Sequence, residues 1–265
     1  NSLDLPNVNV FKEQIEDLKA LLMTAPPSKE QTRDIDFLGY VDNEIETLEG
    51  IVKEICGVEV DDDGLIFDPE SVTGEHIKED ADYEGVRIKF TGFLEKSRIP
   101  MQIDVGFGDV VHPGVEEKDY PTVLDLPAPR LRAYPRETMV AEKFQALVYL
   151  GTLNSRMKDF FDIWLLAEKF DFKGPELARA VSKTFANRRT DLDPNPVALT
   201  ADFATSEYIQ KQWAAFVKRS NLENAPATLE EIREPLRRFL VPVAAALAEG
   251  RDFTDQWKAP GPWVG

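Results

Sequence analysis

The sequence has a single cysteine, Cys56, and only two histidines, His76 and His112. One thiol excludes an internal disulfide and suits a reducing compartment, and so few soft ligands make a zinc site unexpected. Any metal is expected to be held by oxygen. Long apolar runs are missing too. Nothing approaches the roughly 18 residues a membrane helix needs, and no basic start is followed by a short apolar core. The sequence therefore predicts a soluble, cytoplasmic protein with no membrane partner. Positive charge is scarce, with 31 Lys+Arg against 48 Asp+Glu and a net of −17. That total argues at first against nucleic acid as a partner, because phosphate contacts supply most of such affinity.

The distribution of charge says more than the total. Residues 41–85 hold 16 Asp+Glu against 2 Lys, whereas residues 130–190 hold 12 Lys+Arg against 7 Asp+Glu. The acidic block reads either as a solvated surface or as one that repels wrong ligands and receives a basic partner. With 265 residues and 43% hydrophobic content, the chain can build one large domain or two modest ones around a real core.

The stretch 31–39 alternates as a strand, sending Asp34 and Asp36 to one face and Ile35 and Phe37 to the other. Two carboxylates side by side repel unless a cation lies between them. A second alternating stretch, 99–107, carries Asp104 between Ile103 and Val105. Paired beside the first, it would bring a third carboxylate to one hard cation, Mg²⁺ or its substitute Mn²⁺. A lone Asp-x-Asp is equally at home as a solvent-facing pair; the combination is what points to metal-assisted phosphoryl chemistry.

Around these strands the pattern predicts helices at 11–23 and 43–55, the latter with Asn43 as a possible cap and Ile45, Leu48, Val52 and Ile55 on one face. Asp61-Asp62-Asp63-Gly64 reads as a turn, and strands follow at 65–77 and 85–93. A connector punctuated by five prolines runs over 112–135. From Arg136 the pattern is helical to the end, with helices at 137–150, 158–170, 175–186, 206–218 and 229–248, and a tail at 257–265 that packs on the surface or frays. The fold class expected is α+β: a mixed sheet with flanking helices over 1–128, then a helical domain over 129–265. Lys143 stands on or beside an apolar helix face, where it either serves a ligand or covers apolar surface with its stem. Asp159 and Asp162 share a face near a helix start, where Asp is also favoured by the helix dipole alone.

Thr-Arg-Asp-Ile-Asp-Phe-Leu-Gly at 32–39, Ile-Asp-Val-Gly-Phe-Gly-Asp at 103–109, Glu-Thr-Met-Val-Ala-Glu-Lys-Phe-Gln-Ala-Leu at 137–147 and Ser-Arg-Met-Lys-Asp-Phe-Phe-Asp-Ile at 155–163 together resemble the AbiEii/AbiGii toxin family of nucleotidyltransferases. The resemblance implies a polymerase-β-like nucleotidyltransferase sheet followed by helices, and a toxin of abortive-infection or toxin–antitoxin systems with a cognate antitoxin. Some relatives transfer a nucleotide from an NTP to the 3′ end of tRNA, blocking translation; others bind GTP. Carried onto this chain, Asp34, Asp36 and Asp104 become the metal-binding and catalytic carboxylates. Lys143 contacts the nucleotide phosphates, with Lys158, Arg33 and Lys19 as further nucleotide-binding cations, and Asp159 or Asp162 is the last acidic residue. The family's small-residue turn before Asp-x-Asp is replaced here by Leu18-Lys19-Ala20-Leu21, which has no glycine. Transfer to a protein or small molecule, or nucleotide binding without catalysis, stay open as alternatives.

Overall fold

The computed structural model describes residues 35–58, 64–80, 83–119, 130–220, 222 and 225–265. The expected helix at 11–23, the turn residues Asp61, Asp62 and Asp63, and the site candidates Lys19, Arg33 and Asp34 lie outside those residues. The described residues form two compact units, one built on residues up to Asp109 together with 117–132, the other on 110–116 and 133–265.

The first unit is a four-stranded mixed sheet. Its strands are β1 (Ile35–Gly39), β2 (Leu65–Asp80), β3 (Tyr83–Leu94) and β4 (Ser97–Phe107), in the order β1-β4-β3-β2. β1 runs parallel to β4, while β4–β3 and β3–β2 are antiparallel. Alternation in β3 decides which face is covered: Val86, Ile88 and Phe90 are buried while Lys89 is exposed and Arg87 half-buried. The exception is Thr91, buried with its backbone N–H donated to Ser71 Oγ at 2.8 Å.

Helix α1 (Ile45–Cys56) lies on the apolar face, packing Leu48 and Val52 into a cluster with Phe67, Val72, Val86, Ile88, Phe90, Ile103 and Val105. Ile45 and Ile55 flank it, as the helical spacing predicts. The cap differs from expectation. Glu44, not Asn43, occupies that position, and no side chain bonds to the helix end. The helix is held instead by its packing and by Glu49 Oε1, which accepts the Gly74 N–H at 2.7 Å. That close approach requires glycine, since a Cβ at Gly74 would stand 2.6 Å from Ile45 Cγ2. The proline-rich connector contains a two-stranded ribbon, β5 (Glu116–Asp119) with β6 (Arg130–Ala133), that its prolines did not announce.

The second unit is helical, with α2 (Arg136–Leu150), α3 (Met157–Lys169), α4 (Gly174–Asn187), α5 (Ala201–Thr205), α6 (Glu207–Ser220) and α7 (Leu229–Ala248). Its core joins Phe144, Phe160, Ile163, Leu177, Phe185, Trp213 and Phe239, all essentially inaccessible. Helix does not continue to the end, however. β7 (Phe172–Lys173), β8 (Gln256–Trp257) and β9 (Trp263–Val264) make a small antiparallel sheet. The expected surface tail is thereby drawn inward. Trp257 is 2% exposed, donates Nε1–H to the Ala167 carbonyl at 2.8 Å and meets the Phe239 ring edge-on. Trp263 stacks on Phe239 from another side. Trp257→Ala should therefore cost about 3–5 kcal/mol, read as a fall in the urea midpoint; a change below about 1 kcal/mol would mean that the tail is not part of the core.

Candidate nucleotidyltransferase site

Asp104 stands on the central strand β4, and the parallel register sets Asp36 of β1 directly beside it. Residues at partner positions of parallel strands share a sheet face, so two carboxylate-bearing positions fall together on the face opposite α1. Asp104 is fixed in place. Arg87 donates Nε–H to Oδ1 at 2.8 Å and an Nη2–H to Oδ2 at 2.6 Å, the fork that a planar guanidinium offers a carboxylate. The Asp104 side chain is 10% exposed and that of Arg87 30%, so the pair is partly sheltered from screening. Gln102 Nε2 lies 3.4 Å from Oδ1.

Arg87 escaped the reading of the sequence, although a signal was there. A two-residue turn at Glu95–Lys96 between alternating strands pairs Leu94 with Ser97, and counting back from it sets Arg87 opposite Asp104. The arginine takes up two of the roughly four lone-pair directions of the carboxylate. The Gln102 amide faces a third, on Oδ1; the direction left on Oδ2 is open to a hard cation, and an all-oxygen donor set at Asp36 and Asp104 suits Mg²⁺ or Mn²⁺. Among the described residues no three His, Cys, Asp or Glu side chains gather as a ready-made cage; Asp34, the third expected ligand, is outside them.

In the helical unit the sequence candidates do come together. Lys143 of α2 places Nζ 2.9 Å from Asp159 Oδ1 and 2.7 Å from Asp162 Oδ2, both on the first turns of α3. Asp162 Oδ2 also accepts from Lys158 Nζ at 2.7 Å. Arg156, not anticipated, brings Nε within 2.7 Å of Asp159 Oδ2 without aiming an N–H at it. Asp159 is 4% exposed and Lys143 20%. Burial alone pushes the Lys143 ammonium toward the neutral form, and it is the largest single influence; Asp159 and Asp162 together outweigh it, leaving the pKa raised above the ordinary 10.5. Lys143 is thus held in its charged form at neutral pH, its ammonium engaged by two aspartates.

Among solved structures, JHP933 from Helicobacter pylori resembles the chain at 16% identity with a TM-score of 0.41, over 94% of both chains. A second H. pylori structure, of a candidate nucleotidyltransferase, does so at 16% identity and a TM-score of 0.39, over 94% of this chain and 97% of that one. No curated protein matches. The model of the nucleotidyl transferase AbiEii toxins of type IV toxin–antitoxin systems matches residues 30–238. That span holds the paired carboxylate strands, Lys143 and the two aspartates of α3, and it covers more than half of the 265 residues. The chain belongs to the AbiEii nucleotidyltransferase toxin family.

Proposed function

We propose that this protein transfers a nucleoside monophosphate from an NTP to the hydroxyl at the 3′ end of tRNA, breaking the α–β phosphoanhydride bond and releasing pyrophosphate, in the cytoplasm, and so blocks translation and growth. The observation that carries the reading is the register of Asp36 with Asp104 on adjacent parallel strands. Residues 1–128 would be the catalytic sheet domain and 129–265 the helical domain. Asp34, Asp36 and Asp104 would hold Mg²⁺, which when bound draws charge from the phosphates and makes an attacking hydroxyl more acidic.

The chain's own groups do the rest. Asp104, aimed by the Arg87 fork, would accept the proton of the attacking hydroxyl. Lys143 and Lys158, with Arg33 and Lys19, would bind the triphosphate, and Asp159 and Asp162 would set the position of the two lysines. The 12 cations of residues 130–190 add charge for an RNA backbone. An antitoxin encoded for the same system would restrain the activity.

The test incubates the purified protein with each α-labelled NTP, Mg²⁺ and total bacterial tRNA, and reads label on RNA and on protein separately. Label on RNA is the expected result. Label on protein would replace the acceptor, and nucleotide binding without label on either would leave a binding module in place of an enzyme.

A further inference from the structure

We propose that the open face of the four-stranded sheet is a groove for the phosphate backbone of the acceptor strand, with Lys89 and Arg98 as its cations. The proposal rests on the RNA-acceptor reading above and adds where on the sheet unit that strand lies.

Because α1 covers one face, every second residue of β2, β3 and β4 is left on the other, and the registers arrange these in rows. Glu75, Arg87 and Asp104 form the first row; Thr73, Lys89 and Gln102 form the second. Thr91 and Pro100 form the third, with Ser71 Oγ bound to the Thr91 N–H. Successive rows are about 6.6 Å apart, two residues along a strand. A depression of about 600 Å³ follows the second and third rows, lined by Ser71, Thr73, Lys89, Thr91, Arg98 and Gln102. It begins one row from Asp104, and the Gln102 amide reaches from it to Asp104 Oδ1 at 3.4 Å.

The lining selects the ligand class. Beside the apolar Phe90, Pro100 and Met101, the hydroxyls of Thr73 and Thr91, the Gln102 carboxamide and the cations Lys89 and Arg98 line it and suit phosphate and sugar oxygens; the Ser71 hydroxyl is engaged by the Asp68 carbonyl and the Thr91 N–H. Phe90, which borders the depression, turns its ring into the cluster under α1 and so offers no stacking surface there; the groove would grip the backbone and ignore the base. Charge points the same way. Residues 41–85 of this unit carry 16 acidic groups against 2 lysines, yet the groove is cationic. Among the described residues Arg98 has no carboxylate partner and reaches only Thr91 Oγ1, at 3.4 Å. Lys89 is paired with Glu75 at 2.6 Å, but both ends are about half exposed. An exposed pair of that kind contributes little, and a phosphate can take the place of Glu75. A cationic strip in an acidic surround draws a polyanion toward the strip and away from the rest of the surface.

The experiment uses the full chain in the tRNA labelling assay, with separate KM values for tRNA and NTP, at salt from about 50 to 200 mM. The double variant Lys89→Ala/Arg98→Ala should raise the tRNA KM about tenfold and flatten its dependence on log salt by about 1.4, the value for two single-strand phosphate contacts, while the NTP KM holds. Glu75→Gln frees Lys89 and should lower the tRNA KM. Both variants change exposed side chains, and unaltered thermal melts confirm their fold. A double variant with unchanged tRNA KM and salt slope would overturn the groove while leaving RNA as the acceptor. A raised NTP KM with unchanged tRNA KM would assign the groove to the triphosphate and overturn it as well. No label on RNA from the wild-type protein would remove the acceptor reading, and this proposal with it.

Discussion

Asp36→Ala should abolish nucleotide transfer, lowering kcat by about 10³-fold or more, while the protein melts at or slightly above the wild-type temperature. The reason lies in the register. Asp36 occupies the edge strand β1 beside Asp104, and like charges at neighbouring positions of a sheet destabilise it by roughly 0.2–1 kcal/mol. Removing one of them gives that back. Asp104→Ala should behave differently although it also ends transfer. It takes the two Asp104 oxygens from the Arg87 fork, at a cost of about 1–2 kcal/mol for a pair whose arginine side chain is 30% exposed. Transfer rates and urea melts of the two variants therefore separate the loss of transfer from the loss of the Arg87–Asp104 ion pair. A folded Asp36→Ala protein with full activity, or one that fails to fold, would end the assignment of Asp36.

Much of the sheet unit was legible because its strands obey a period of two. Val86, Ile88 and Phe90 against Arg87 and Lys89 is enough to assign the covered face, and the spacing of Leu48 and Val52 is enough to supply the helix that covers it. What periodicity does not state is pairing across strands. Arg87 reads as one more solvent-facing residue until the turn at Glu95–Lys96 is used to count register, and then it becomes the partner of Asp104. The same limit hid Arg156, whose contact with Asp159 depends on how the chain enters α3 and not on any repeat. The small sheet of β7, β8 and β9 was invisible for a simpler reason: two-residue strands are too short to show alternation. Its cost in the reading was the tail. Proline, glycine and tryptophan together suggested a tail that packs on the surface or frays; it packs, and more firmly than a surface tail, because Trp257 and Trp263 both donate indole N–H groups to backbone carbonyls within the helical unit. Indoles that find such acceptors can be buried, and a composition argument does not see the acceptor.

Lys143→Met should both end transfer and destabilise the helical unit by about 3 kcal/mol, as breaking a sheltered ion pair does when it leaves a charge behind. Methionine fills the volume of the lysine stem but leaves Asp159, 4% exposed, and Asp162 without their shared ammonium. Arg156 and Lys158 remain nearby, which limits the loss. The pH dependence identifies the cause. The two aspartates raise the Lys143 pKa above 10.5 in the folded protein, so the stabilisation from its charge is fully present below 10.5 and is lost as pH rises through the higher folded value. Urea melts of wild type and variant from neutral to about pH 11.5 should therefore keep a constant gap up to about pH 10.5 and converge above it. Lys143→Arg, whose guanidinium does not deprotonate there, should retain its advantage over methionine across the whole range. Parallel wild-type and methionine curves through the alkaline limb would show that the loss came from packing, and the lysine would then owe its place in the helical unit to its stem.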